Sequence, residues 1–335
     1  MGHFVSFGEA LLRLSSPRRE LLLQTPRLDI WVGGAEANVA VQLAHLGQPA
    51  RFVSAVPQNE LGAAVVTFLR GSGVCTEHVQ RREGRMGLYF SAAGAGFRAP
   101  NIVYDREHSS FARAPATAWD WAAILSDADR FHLSGITPAL GPDPAESAIC
   151  AARAAIRLGV PLSFDCNFRS SLWEAWDSEP RPILSELIAH ADILFGNHRD
   201  VSLLLGTRFS SDGPTRRREA AEAAFDAFPR LKTVASTARH VSNADTHFLT
   251  ARIDTRDGGF ETEPFAIAGI VDRIGTGDAF AAGVLHALKA GEARDDAART
   301  GLALAALKHS IPGDASLFSN EDVAQFWDGA SDIRR

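Results

Sequence analysis

Asp272-Arg273-Ile274-Gly275-Thr276-Gly277-Asp278-Ala279-Phe280-Ala281-Ala282-Gly283 is a glycine turn that runs directly into an apolar helical stretch. Glycines at 275 and 277 let backbone N–H groups converge on one point, and a helix start adds partial positive charge there. Gly275, Thr276 and Gly277 therefore form a candidate anion hole. Asp278 would repel a resting phosphate. A carboxylate in that place suits a base that takes the proton of a hydroxyl attacking a phosphoryl group held by those donors. An N-capping Asp after a glycine-rich turn fits the same residues, because short motifs misfire often.

Three other phosphate motifs are excluded. The only lysines are Lys232, Lys289 and Lys308, and none follows a glycine to make a P-loop. His198-Arg199-Asp200 has Leu205 where a protein-kinase loop needs Asn, and the chain has no DFG triplet. Phe280 stands where a dinucleotide fingerprint needs its third glycine.

Outward from this segment, short β-like runs alternate with longer Ala/Leu-rich helical runs, which predicts βα units and a mostly parallel sheet with helices on both faces. Residues 37–46 read as helix before a strand at 51–56, and 146–158 as helix ended by Gly159 before a strand closing at Phe164-Asp165. Residues 193–197 and 233–236 read as two more strands. Each delivers polar residues at its carboxyl end, where open α/β sheets bind ligands. Residues about 9–32 and 84–112 break the alternation, with Arg, Gly and aromatics and the short runs 88–90 and 102–104. They are expected to form a small β lid that excludes water from phosphoryl transfer, or an antiparallel extension of the sheet.

The 335 residues suit one large α/β domain with an appendage, or two domains. A net charge of −6 offers no footprint for nucleic acid or an anionic membrane. Cys75, Cys150 and Cys166 lack C-x-x-C spacing and read as structural thiols in a reducing, cytoplasmic setting. No signal peptide and no apolar run of about 18 residues is evident, so no membrane span is expected.

Gly33-Gly34-Ala35-Glu36-Ala37-Asn38 near one end and the Asp272 to Asp278 segment near the other, on this βα pattern, resemble the two signatures of the ribokinase-like carbohydrate kinases over nearly the full length. The resemblance implies an α/β fold, a three-layer α/β/α sandwich with a mostly parallel central sheet and a small β lid, within a single domain over 1–335. It implies that Asp278 is the catalytic base, that Gly33, Gly34, Ala35 and Asn38 meet sugar hydroxyls, and that ATP and Mg²⁺ are used.

Gly8-Glu9, Tyr104-Asp105-Arg106, Asp165-x-Asn167-x-Arg169 and the segment from Lys308 to Asp314 resemble the 2-keto-3-deoxygluconate kinase branch. By that resemblance Glu9, Tyr89, Tyr104, Arg106, Arg169 and Asp314 contact the substrate, with Arg106 and Arg169 on its carboxylate, which an arginine fork matches. Arg106 also suits a surface charge, Asn38 a solvated helix position and Asp314 an ordinary turn.

The implied activity is ATP-dependent phosphorylation of 2-keto-3-deoxygluconate to its 6-phosphate. Fructose and ribose are alternative substrates, and a non-catalytic sugar-acid or nucleotide sensor is an alternative of another class. Asn167, Arg169, Asn197, Ser236, Arg239, Gly275 and Gly277 are expected at the nucleotide, and Asp200 is expected to reach magnesium through a water. The chain departs from the family at Arg273, where Thr is usual, at Thr276, where Ala is common, and at Asp200, where Glu is usual. It also lacks a Gly-rich turn after Ala235, where Arg239 could replace backbone donors by charge. The aromatic lid strands suit pairing in a homodimer or higher homo-oligomer, and a monomer fits the sequence equally.

Overall fold

A computed structural model of the chain describes residues 2–329. Its strands are β1 (His3–Phe7), β2 (Leu11–Ser15), β3 (Asp29–Gly33), β4 (Ala50–Pro57), β5 (Val79–Arg82), β6 (Gly87–Ala92) and β7 (Asn101–Asp105). They continue with β8 (Ala128–Ser134), β9 (Leu162–Asp165), β10 (Ile193–Phe195), β11 (Thr233–Asn243), β12 (Thr246–Thr255), β13 (Gly258–Glu261) and β14 (Phe265–Ala268). The main sheet runs β13-β12-β11-β10-β9-β8-β1-β4-β5, with β14 pairing to β12. From β11 to β5 every neighbouring pair is parallel.

Side chains alternate across each strand. Val5 and Phe7 join the core beneath the helix Pro142–Leu158, whereas Phe4 joins the opposite core beneath the helices Ala35–His45, Thr276–Lys289 and Arg294–Lys308. Two apolar cores on one sheet make three layers, the architecture expected of alternating βα units. Gly159 ends its helix at φ 70°, a left-handed conformation that glycine takes at no steric cost.

The expected strand at 233–236 is longer in the structure. β11 reaches Asn243 and folds back on β12 as an antiparallel ribbon carrying β13 and β14. Its second half is largely exposed, so it lacks the apolar run that betrays a buried strand.

A second, four-stranded sheet in the order β3-β2-β6-β7 is separate from the first. Its β2 follows β1 after only Gly8, Glu9 and Ala10, so it stands over the carboxyl edge of the main sheet. Among the described residues no helix is long and apolar enough to cross a membrane, and Cys75, Cys150 and Cys166 are free thiols.

Candidate active site

A cleft of about 640 Å³ opens at that edge, lined by the ends of the parallel strands, the underside of the second sheet and the start of the helix Thr276–Lys289. Gly275 precedes this helix at φ 79°, and a Cβ on it would lie 1.8 Å from the main-chain oxygen of Asp314. Only glycine fits there. A Cβ on Gly277 would meet nothing within 4 Å, because that residue faces the open cleft. The first-turn N–H groups of a helix have no intrahelical acceptor, so the space over Gly277 is a place for an anion. The Thr276 hydroxyl donates back to the Arg273 carbonyl at 3.0 Å.

Asp278 stands in the first turn of this helix. Gly34, at φ 136°, opens the helix Ala35–His45, which brings Asn38 opposite; its Nδ2 donates to Asp278 Oδ2 at 2.7 Å. Burial pushes the Asp278 carboxyl up to about 7; the Asn38 hydrogen bond opposes this, and the Glu36 and Asp314 charges add to it. Glu36 is 1% exposed and accepts from the Ser134 amide at 3.1 Å and from the Ser134 and Thr137 hydroxyls at 2.8 Å each. Its own pKa is raised by burial. A carboxyl near neutrality beside an anion hole can take a proton at physiological pH.

One end of the cleft is roofed by the second sheet. Tyr89 of β6 donates to Asp314 Oδ2 at 2.5 Å, and its ring lies 5.9 Å from that of Tyr104 on β7. Arg106 is buried and not a surface charge: its Nε donates to Glu9 Oε2 at 2.7 Å, and its Nη2 lies 2.5 Å from the same oxygen. Its charge is therefore already matched by a carboxylate of the protein. Glu9 Oε1 is buried without a protein partner.

At the other end, Asp165 closes β9, with its Oδ1 accepting from the Asn167 amide at 3.0 Å. Asn167 has φ 35°, a strained value for a residue other than glycine, and turns the chain so that Arg169 reaches the cleft mouth. Burial, then the charges of Asp278 and Asp200, push the Asp165 carboxyl up to about 8. Asn197 and Asp200 form a capping box on the helix His198–Leu205: Asn197 Oδ1 accepts from the Arg199 amide at 2.8 Å, and Asp200 Oδ2 from the Asn197 amide at 2.8 Å. Arg169, Arg239 and Arg273 line the cleft and make no ion pair among the described residues. Desolvation and then the charge of Arg273 lower the Arg239 pKa. Arginines lining a cleft that also holds a helix start suit a polyphosphate.

Among the described residues no group of three or more His, Cys, Asp or Glu is placed to hold a metal ion. What the cleft offers is two carboxylates, Asp165 and Asp200, whose pKa values burial raises, with the charges of Asp278 and Asp200 adding to the shift of Asp165. That donor set fits Mg²⁺, which takes one or two carboxylates together with phosphate oxygens and water.

The expected site residues gather in this cleft with one exception. Gly33 does not line it; a Cβ on Gly33 would lie 2.1 Å from Asp314 Oδ2, so this glycine serves close packing. Ser236 and Arg239 reach the cleft from β11, on strand backbone and not on a Gly-rich turn. Asp165, Glu36 and Arg199 also line it and were not expected. For Asp165 the signal was present, an acidic residue at the carboxyl end of a buried strand, and for Glu36 it lay inside the first glycine signature.

Residues 1–320 match the pfkB family of carbohydrate kinases, and the chain belongs to that family. It is therefore a carbohydrate kinase with the ribokinase-like α/β fold. It is 34% identical over 321 residues to a 2-dehydro-3-deoxygalactonokinase of Haloferax volcanii, covering 95% of this chain and 94% of that one. A 2-dehydro-3-deoxygluconokinase of Bacillus subtilis is 29% identical, over 96% of this chain and 94% of its own. Among solved structures, a 2-dehydro-3-deoxygluconokinase of Thermotoga maritima superimposes with a TM-score of 0.93 at 35% identity, covering 98% of this chain and all of that one.

Proposed function

We propose that the chain transfers the γ-phosphoryl group of ATP to the terminal primary hydroxyl of 2-keto-3-deoxygluconate or of its C4 epimer. The observation that carries this is Asp278, a carboxyl raised to about 7 and held by Asn38 beside an open anion hole. The names of the similar proteins support the sugar-acid class.

In this account the sugar acid lies under the second sheet, its hydroxyls met by Asn38, Gly34, Ala35 and Glu9 and its carbon chain by Tyr89 and Tyr104. Asp278 accepts the proton of the attacking hydroxyl, and the amides from Gly275 to Asp278 stabilise the charge that develops on the transferred group. Arg169, Arg239, Asn167, Asn197 and Ser236 hold the nucleotide. Asp165 and Asp200 would hold Mg²⁺, Asp200 through a water, and the ion would offset phosphate charge. The second sheet acts as the lid that keeps water from competing as acceptor. Exposed Ile30 and Val103 on its edge strands β3 and β7 suit a second copy of the chain, which light scattering would detect as a dimer.

A neutral keto sugar is the second reading, favoured by one observation: Glu9 neutralises Arg106. ADP release with 2-keto-3-deoxygluconate, 2-keto-3-deoxygalactonate, fructose and ribose decides between them. The proposal expects kcat/KM at least about tenfold higher for an acid than for either neutral sugar. A preference for fructose or ribose refutes it.

A further inference from the structure

Arg13 has no role in the chemistry described above, yet it is a buried cation that bridges two carboxylates beside the anion-hole turn. It sits on β2 of the second sheet and is 5% exposed. Its Nε donates to Ser15 Oγ at 2.6 Å, its Nη1 to Asp314 Oδ1 at 3.0 Å, and its Nη2 to Asp272 Oδ2. Burial would disfavour its charge, but the two carboxylates more than offset this, and its pKa lies above the ordinary arginine value.

The two carboxylates flank the anion-hole turn. Asp272 Oδ1 accepts from the Ile274 amide at 3.0 Å, and its Oδ2 also accepts from the Gly313 amide at 3.2 Å. Asp314 follows Gly313, and its main-chain oxygen is the atom that leaves no room for a side chain on Gly275. The same Asp314 carboxylate receives the Tyr89 hydroxyl from β6. A guanidinium bridges two carboxylates in a fixed fork that an ammonium cannot reproduce. One side chain of the second sheet thus ties the start of the turn that would hold the phosphoryl group to the Gly313-Asp314 segment packed against Gly275.

We propose that Arg13 is a positioning residue that makes the anion hole depend on the second sheet. With β2 seated, its guanidinium draws Asp272 and Asp314 together, and the Gly275 to Asp278 amides take their converging geometry. With β2 withdrawn, two like charges face each other across the turn and the amides diverge. Closure over the sugar and completion of the phosphoryl site are then one event, which protects ATP from water while no sugar is bound. This rests on the assignment of Gly275 to Asp278 as the phosphoryl site.

A side cavity of about 550 Å³ touches Arg13 and Asp272, so a small cation can reach the gap left by truncation. The test measures kcat and KM of Arg13→Ala with 2-keto-3-deoxygluconate and ATP, with and without millimolar guanidinium, beside Asp278→Asn. Misplacement of reacting groups predicts a fall in kcat of roughly 100-fold, with KM for the sugar acid changed less than about threefold. Guanidinium should restore at least about tenfold of the lost kcat in Arg13→Ala and nothing in Asp278→Asn. A kcat within about threefold of wild type, a loss confined to KM, or a loss that guanidinium leaves untouched overturns the proposal.

Should Arg13→Ala fail to fold, Arg13→Lys takes its place: its single ammonium predicts a kcat loss of at least about tenfold at nearly unchanged KM, and full activity overturns the proposal. Should Asp278→Asn instead keep wild-type turnover, the assignment of the phosphoryl site fails, whatever Arg13 does.

Discussion

Replacing Arg106 by Ala separates an acid pocket from a neutral one, because the structure gives this arginine a partner that the sequence does not reveal. Its side chain is 7% exposed and that of Glu9 1%. Removing one member of so buried a pair costs about 3–5 kcal/mol, mostly from stranding the other charge. Arg106→Ala should therefore unfold at lower temperature whatever the substrate.

The functional part is smaller and selective. Loss of a desolvated charge contact to the substrate carboxylate costs about 2–5 kcal/mol, and the tenfold threshold is only about 1.4 kcal/mol. KM for 2-keto-3-deoxygluconate should thus rise at least about tenfold, while slow turnover of fructose changes little. Glu9→Gln supplies the opposite perturbation. It leaves Arg106 unneutralised, so the ratio of kcat/KM for acid over neutral sugar should increase. Steady-state ADP release on both substrates for both variants is the assay. Equal losses on acid and neutral sugars in Arg106→Ala, with no gain of ratio in Glu9→Gln, would make the pair purely structural and refute the reasoning.

Gly277→Val should abolish turnover, since its side chain would enter the open space above the turn, while calorimetry should still show sugar binding; sugar affinity lost with the fold intact would mark the turn as a sugar element. For pH, Asp278 must be unprotonated to accept a proton, so kcat/KM should fall below pH about 7 by roughly tenfold per unit. Glu36→Gln should move that limb to lower pH, because the Glu36 charge is one of the causes raising it; a limb that stays or moves upward contradicts the assignment. Arg169→Ala should lower kcat as well as raise KM, because its charge acts on the Asp165, Asp200 and Asp278 carboxylates beside the anion hole. A pure KM effect would confine it to substrate binding.

The main sheet was legible because its helices and strands carry strong local signals. The helix before Gly159 ends at a residue that suits a left-handed cap, and the strand after it, closing at Phe164-Asp165, reads as a short apolar run. The ribbon from β11 to β14 was not legible. Arg239 to Ser242 is exposed and mostly polar, and its pairing with β12 is a tertiary fact.

In the site, the glycines and Asp278 could be found because a turn and a helix start impose residue types at fixed spacing. The pairings could not. Glu9 meets Arg106 across 97 positions and Arg13 meets Asp314 across 301, and no local pattern encodes which arginine will be neutralised and which left open. The acidic cluster of Asp165, Asp200 and Asp278 likewise comes from three different strand ends and helix starts. Only its members, not their mutual repulsion, can be read along the chain.

The most direct measurement is the turnover of Asp278→Asn with 2-keto-3-deoxygluconate and ATP, followed as ADP release and paired with calorimetric binding of each substrate. A positioned base contributes about 10²–10⁴ to the rate, so kcat should fall by that factor with both affinities nearly unchanged. A variant with kcat within about threefold of wild type would remove Asp278 from proton transfer and with it the account of this cleft.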